Sequence, residues 1–203
     1  MLNFVKKIFT SSSQSEKNIK NIESKLAHQY LDNLIGIEIG GSAHNSFGLN
    51  TINVDRYKSM STGSKLAEER LCGKKMPVDV VARGDDLPFD DKSYDFVISS
   101  HVIEHFFDPI KALKEWQRVA KKYIFIIVPH RDRTFDKDRP LTSKQELIDR
   151  YEGKIPYSDS NEHHSVWDTD SFLELCKYLN YNVVDYLDVD DKVGNGFSII
   201  IKV

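Results

Sequence analysis

Apolar residues in this chain gather into short, nearly continuous runs that are separated by longer polar stretches. A run of this kind is typical of a strand that is buried on both faces, as the strands of a parallel sheet are. The runs predict strands over residues 35–39, 51–54, 78–82, 94–99, 123–128, 181–188 and 196–202.

Apolar residues at helical spacing fill several of the stretches between these strands. They predict helices over residues 65–72, 109–120, 143–151 and 171–180, and a lead-in helix that starts at residue 16. Alternating strands and helices indicate an α/β fold with a doubly wound, mostly parallel sheet that binds ligands at the carboxyl ends of its strands. The last two strands flank a turn at 190–195 and predict a C-terminal antiparallel hairpin.

The remaining segments set the domain organisation. Residues 1–15 end in a polar run of low complexity and are predicted to be mobile. Residues 16–203 are predicted to form one domain, because their number suits a single hydrophobic core. The long polar segment 129–170 interrupts the alternation of strands and helices, and segments of this length are usually functional or disordered.

Composition removes several function classes. The net charge of −3 gives no basic field that would attract nucleic acid or an anionic membrane. No apolar run approaches the ~20 residues that a membrane span requires, and no signal peptide is recognisable near the N-terminus. Cys72 and Cys176 lack the spacing of a metal site. We therefore predict a cytoplasmic protein with reduced thiols.

A glycine turn follows the first predicted strand. The turn is Gly40-Gly41-Ser42, and the second predicted strand ends shortly after it on Asp55. Glycines let the backbone approach a ligand closely, and an acid at the end of the second strand can hold two ribose hydroxyls. This arrangement favours a nucleoside-type cofactor.

Three further motifs follow in a fixed order. They are the acid-bearing loop and "LPF" turn at 83–89, the "YD-hydrophobic" strand with its Glu-His helix entry at 93–105, and the Asp-Pro pair at 108–109. With the glycine turn, they make residues 34–130 resemble the class I S-adenosylmethionine-dependent methyltransferases, in the branch called methyltransferase type 11. The resemblance implies a Rossmann-like, seven-stranded sheet with a C-terminal antiparallel hairpin and helices on both faces. It also implies an enzyme that uses S-adenosyl-L-methionine as its cofactor.

The resemblance assigns roles to residues on the donor side. Asp55 would bind the ribose hydroxyls, Gly40 would allow close approach, and Glu38 would orient the turn and reach the methionine amino group through water. The predicted cofactor-binding set is Glu38, Gly40, Gly41, Ser42, Asp55, Arg56, Gly84, Asp85, Asp86 and Ser100.

The sequence departs from the family pattern at two places. Family glycines fall at alternate positions, where this chain has Ser42 and His44, and the short distance to Asp55 leaves room for only a stunted first helix. The position of the family's adenine-binding acid is occupied by Arg83. We expect Asp85 or Asp86 to lie beside adenine instead, with Asp85 favoured for the exocyclic amine.

Histidines supply the candidate catalytic groups on the acceptor side. His101 follows the fourth predicted strand, where a neutral imidazole could take a proton from an acceptor hydroxyl, although a core histidine is equally compatible. The H-x-x-E-H spacing at 101–105 also matches inverzincin proteases, but the sequence signals no third ligand, so we predict no metal ligands there. The candidate general bases are His101, His130, His163 and His164.

The insertion 129–170 carries further candidates for acceptor binding. Its arginines suit a phosphate or carboxylate on the acceptor, and the alternative is a loop of ion pairs with the neighbouring acids. Trp167 could form an apolar wall for a sugar, or belong to the core. The adjacent histidines at 163–164 are compatible with catalysis, with a divalent metal bound alongside acids, or with a solvated loop. The predicted substrate-binding set is Arg131, Arg133, Arg139 and Trp167.

The sequence therefore predicts an O-methyltransferase with a histidine base. Its acceptor is predicted to be a small or glycan-linked molecule, and the resemblance associates the segments around His130 and Trp167 with surface-polysaccharide biosynthesis. Methylation of nitrogen or carbon, and a catalytically silent accessory subunit that binds the cofactor, remain alternatives. A nucleic-acid partner is not expected, while the divalent metal requirement and the oligomeric state are left open.

Overall fold

The computed structural model describes residues 24–42, 47–160 and 162–203. The segment predicted to be mobile, 1–15, lies outside the described residues. The helices are α1 (Lys25–Leu31), α2 (Gly63–Cys72), α3 (Pro109–Val119), α4 (Lys144–Tyr151) and α5 (Thr169–Tyr178). The strands are β1 (Ile35–Ile39), β2 (Asn50–Asp55), β3 (Val80–Val81), β4 (Tyr94–Ser100), β5 (Ala120–Pro129), β6 (Asn182–Leu187) and β7 (Gly196–Lys202).

All seven strands join one sheet in the order β3-β2-β1-β4-β5-β7-β6. The neighbours among β1 to β5 run parallel, and β7 pairs antiparallel with both β5 and β6. The predicted fold, with its C-terminal antiparallel hairpin, is confirmed. The strand order reverses between β1 and β4, and this switch point is where doubly wound sheets bind ligands.

Each face of the sheet has its own core. Alternate strand residues such as Val97 and Ile124 pack with Trp116 of α3 and Leu175 of α5 on one face. The intervening residues, among them Phe96, Ile98 and Phe125, pack against α1 on the other face. Asp108 caps α3 by accepting a hydrogen bond from the Lys111 backbone N–H, and Pro109 opens the helix where its missing N–H costs nothing. None of the helices in the described part of the chain has the length and apolar character that a membrane crossing requires.

The lead-in helix begins later than predicted within the described residues. Ser24 has an extended backbone and accepts a hydrogen bond from the Ala27 N–H, so it caps α1 rather than continuing a longer helix. The part of that prediction over 16–23 lies outside the described residues.

The connection between β1 and β2 has no helix among its described residues, 40–42 and 47–49. Phe47 covers the sheet there instead. Its ring is buried and meets Phe125 edge-on with centroids 5.7 Å apart, and its carbonyl oxygen bonds the ring of His28 at 2.7 Å. Among the described residues, no helix therefore backs the glycine turn, and side chains from other elements hold its backbone in place.

Candidate functional site

A cavity of about 980 Å³ opens at the carboxyl ends of the parallel strands. Gly40 after β1, Asp55 at the end of β2 and His101 after β4 contribute to its wall. Its other side is formed by a segment that we call the roof, residues 157–160 and 163–164. The cavity therefore lies at the switch point of the sheet, between the strand ends and the insertion 129–170.

The glycine turn lies at the rim of this cavity. Gly40 has a left-handed backbone (φ +65°), and a Cβ atom there would lie 2.7 Å from Cγ2 of Val102. Both constraints exclude larger residues without strain. Gly40 and Ser42 line the cavity, whereas Gly41 turns its carbonyl oxygen away from it into the protein.

Two buried side chains hold that carbonyl of Gly41. The Lys65 Nζ donates to it at 2.8 Å, and the Asn53 Nδ2 donates at 3.1 Å. Lys65 is 1% exposed, and its ammonium also bonds the Met76 carbonyl oxygen and the Glu68 carboxylate. Sequence reasoning missed both supports, because a lysine and an asparagine in these positions look like ordinary polar residues.

Asp55 and Arg56 form the wall at the end of β2. One carboxylate oxygen of Asp55 accepts the Tyr57 backbone N–H at 2.8 Å, which fixes the side chain at the cavity. Arg56 forms a bidentate ion pair with Asp159 of the roof, in which Nη1 donates to Oδ1 at 2.8 Å and Nη2 donates to Oδ2 at 2.7 Å. Arg83 adds a second link to the roof through the Tyr157 hydroxyl at 3.2 Å.

The loop after β3 presents Gly84 and Asp85 to the cavity, whereas Asp86 is exposed and is not part of the lining. A Cβ atom on Gly84 would lie 2.7 Å from Ile39, so the backbone packs closely here. Burial alone would raise the pKa of Asp85, but its hydrogen bonds with Arg83 at 2.9 and 3.1 Å outweigh this and hold the pKa below its usual range. The carboxylate is therefore ionised and already paired.

Glu38 lies buried behind the glycine turn. Burial raises the pKa of its carboxyl to about 7, although the charge of Lys192 and a hydrogen bond from Thr51 act in the opposite direction. The group therefore takes up a proton on folding at mildly acidic pH.

We expect Glu38→Gln to remove a pH-dependent loss of stability. Between the ordinary pKa of 4.5 and the folded value of about 7, the folded state holds a proton that the unfolded state has released, so wild-type stability falls as pH rises through this window. The amide cannot ionise. The stability of the variant relative to wild type should therefore rise by about 2–3 kcal/mol from pH 5 to pH 8. Urea unfolding at both pH values measures this, and parallel profiles would contradict it.

Three of the four predicted catalytic histidines line the cavity: His101, His163 and His164. His130 does not belong to the lining. It is buried against Phe197, and its Nδ1 accepts the backbone N–H of Asp132 at 3.1 Å. Sequence reasoning treated Glu104 and His105 as a structural helix entry, yet both also line the cavity.

The predicted substrate-binding residues lie elsewhere. Arg131, Arg133 and Arg139 form ion pairs with Asp132, Asp188 and Asp136, which is the alternative considered for them from the sequence. Trp167 is buried in the core against Phe172. None of these four residues is part of the cavity lining. The aromatic wall of the cavity is formed instead by Phe107 and Tyr157, whose ring centroids are 5.4 Å apart.

Just under half of the chain matches a protein-family model. Residues 35–127 match the family model described as a methyltransferase domain. Two uncharacterized proteins of Methanocaldococcus jannaschii are similar in sequence. One is 38% identical over 101 residues (48% of this chain, 45% of that protein), and the other is 28% identical over 153 residues (70% and 62%). The chain thus spans less than two thirds of either relative.

Solved structures share the fold. A methyltransferase of Thermotoga maritima that depends on S-adenosylmethionine, described as a possible histamine N-methyltransferase, superposes with a TM-score of 0.55. It has 19% identity, with 91% of this chain and 87% of that chain covered. A methyltransferase of Methanosarcina mazei with the same cofactor has a TM-score of 0.53 and 19% identity, with 88% and 96% covered. At these identities the likeness concerns the architecture.

Proposed function

We propose that the chain is a class I S-adenosylmethionine-dependent methyltransferase that methylates a hydroxyl group of a small or sugar-linked acceptor, with His101 as the base. The match of residues 35–127 to a methyltransferase domain supports the proposal. One observation carries the proposal. Groups from four neighbouring strand ends, namely the glycine turn, Asp55, Gly84 and His101, meet on a single cavity. A cytoplasmic site of action and a glycan-related acceptor belong to this proposal.

The donor side of the cavity fits the cofactor. Any side chain at Gly40 or Gly84 would collide with a neighbour, so bare backbone forms the wall at both positions. Asp55 can accept hydrogen bonds from two ribose hydroxyls. When bound, S-adenosylmethionine supplies a methyl group activated by the positive sulfur. The protein contributes alignment of the two substrates and exclusion of water.

His101 is the best-placed base among the histidines of the lining. It follows β4 directly and has a left-handed backbone (φ +54°). Its backbone N–H donates to the Ile127 carbonyl oxygen at 3.0 Å. A non-glycine residue held in this conformation is often functional. The Nε2 of His164 instead faces the Ser160 carbonyl at 3.3 Å, which requires that nitrogen to be the donor.

The aromatic wall and the pairing of the insertion arginines favour a neutral acceptor. Phe107 and Tyr157 offer ring surfaces on which the apolar face of a sugar can pack. The insertion arginines are paired with acids and do not belong to the cavity lining, so they give no support to an anionic acceptor. A neutral hydroxylated acceptor suits this lining better.

A catalytically silent cofactor-binding subunit is the second candidate. The observation that favours it is the pairing of Asp85, since an acid already engaged by Arg83 and Lys111 is less available to the adenine amine.

The proposal is tested by donor binding and by product formation. Calorimetry should detect binding of S-adenosylhomocysteine, and a panel of free and nucleotide-linked sugars should yield this product from S-adenosylmethionine. His101→Ala should lower the transfer rate about 100-fold or more while donor affinity changes little. Binding without turnover on any acceptor would favour the silent subunit. A transfer rate that is unchanged in His101→Ala would remove His101 as the base.

A further inference from the structure

Glu104, His105 and His163 form a compact cluster at the cavity, which we call the Glu104 cluster. Glu104 and His105 lie on the one-turn 3₁₀ helix Ile103–His105 that follows β4, and His163 reaches them from the roof. The Nε2 atoms of both histidines lie 3.8 Å from Oε1 of Glu104, and one ligand atom from each of the three residues lies within 4.8 Å of the others.

Glu104 is the unusual member of the cluster. Its side chain is 1% exposed, and neither carboxylate oxygen has a hydrogen-bond partner within the described residues. The two imidazole nitrogens at 3.8 Å are too distant for hydrogen bonds. A buried carboxyl left in this state is costly, so the site is incomplete as it stands.

The Nδ1 atom of each histidine, which is the ring nitrogen not facing Glu104, has a hydrogen-bond partner that orients the ring. The Nδ1 of His163 bonds Asp136 at 2.6 Å, and the Nδ1 of His105 faces the Glu162 carbonyl oxygen at 3.2 Å. A carbonyl only accepts, so Nδ1 of His105 carries the hydrogen, and in the neutral ring the lone pair is on Nε2, the nitrogen 3.8 Å from Glu104 Oε1. A carboxylate or carbonyl behind each ligating imidazole is the arrangement found around protein-bound metals.

The cluster is also held rigidly. Arg139 bonds the Asp136 carboxylate and donates to the His163 carbonyl oxygen at 2.8 Å. The His164 backbone N–H donates to the Glu104 carbonyl oxygen at 2.8 Å, which ties the roof to the 3₁₀ turn. The three ligand groups are therefore positioned before any ligand arrives.

We propose that Glu104, His105 and His163 bind one divalent transition-metal cation such as Zn²⁺ or Mn²⁺. Two imidazole nitrogens and one carboxylate oxygen suit these cations better than Mg²⁺ or Ca²⁺, which prefer oxygen alone. Ligands at the zinc distances of about 2.0–2.2 Å in a tetrahedron lie about 3.4 Å apart. The two imidazole–carboxylate distances of 3.8 Å would therefore shorten by about 0.4 Å, and the widest separation, which is at most 4.8 Å, by up to about 1.4 Å. Three protein ligands leave a coordination position for an acceptor oxygen, a role that rests on the methyl transfer proposed above.

Metal binding should be measured on the full-length, tag-free protein after treatment with a chelator, without donor or acceptor. We expect ZnCl₂ and MnCl₂ titrations to show one site per chain. His163→Ala should weaken it at least 100-fold. Asp136→Asn, which changes the group behind His163 and leaves the three ligands in place, should weaken it about 10–100-fold. His164→Ala is the matched control, since it removes a neighbouring imidazole of the same cavity that is not part of the cluster.

Two results would overturn the site. One is no stoichiometric binding of either cation, and the other is equal affinity in wild type and His163→Ala, which would place the metal elsewhere. Circular dichroism and binding of S-adenosylhomocysteine verify that each variant is folded. Because metal titration needs neither donor nor acceptor, its outcome is separate from that of the proposed methyl transfer.

Discussion

Lys65→Met should destabilise the protein by about 3–5 kcal/mol. Lys65 and Glu68 are both almost fully buried and lie 3.2 Å apart, so removing the ammonium takes a buried cation away from the Glu68 carboxylate. The substitution also removes hydrogen bonds to the carbonyl oxygens of Gly41 and Met76. Equilibrium unfolding in urea measures the loss.

Two further variants separate the causes. Glu68→Gln added to Lys65→Met removes the buried charge while keeping an acceptor for the Met76 N–H, and it should recover part of the lost stability. Lys154→Met is the matched surface control. Its ion pairs with Asp149 and Glu152 are exposed to solvent and screened by water, so the change in stability should be small. A similarly small effect of Lys65→Met would show that the buried ammonium does not stabilise the fold.

Asp55→Ala should weaken S-adenosylhomocysteine binding about 100-fold while leaving the fold intact. The carboxylate lines the donor side of the cavity, and hydrogen bonds to a charged acceptor are worth about 1.5–3 kcal/mol each. Within the part of the chain that the structure describes, the carboxylate accepts one hydrogen bond, from the Tyr57 N–H in an exposed loop, so stability should change little.

Calorimetry with S-adenosylhomocysteine is the measurement for Asp55. Asp55→Asn should lie between wild type and Asp55→Ala, because it keeps one acceptor oxygen without the charge. Asp170→Ala on α5 is an exposed control that should bind normally. Equal affinity in Asp55→Ala and wild type would mean that the ribose contact lies elsewhere.

The central strands were predictable because they are buried on both faces, so continuous apolar runs mark β1, β4, β5 and β7 closely. The edge strand β3 is less buried and is shorter than its predicted range of 78–82. β1 matches its predicted bounds, and β5 extends its run by only a few residues at the N-terminal end and one at the C-terminal end. Gly40 and Asp55 were predictable for the same reason, since the ends of recognised strands place them at one edge.

Contacts between distant segments were not predictable. The sequence does not show that Arg56 pairs with Asp159, or that Lys65 supports Gly41, because charged residues look alike whether paired or solvated. The Glu104 cluster joins two segments almost sixty positions apart, and only the folded roof brings His163 to Glu104. The insertion arginines show the reverse case. They are close together in sequence and were predicted to bind the acceptor together, but in the fold each forms a separate ion pair with an acid.

The connection between β1 and β2 is short in sequence, and this also bears on how the chain folds. It pairs Ile35 with Asn50, fifteen positions along, whereas the other neighbour of β1 joins Gly36 to Phe96, sixty positions along. Closing the shorter loop costs less chain entropy, so the β1–β2 pair is favoured to form before β4 is recruited. The glycine turn and Asp55 belong to this local unit, whereas the roof that faces them depends on contacts of much longer range, such as Arg56 with Asp159, 103 positions apart.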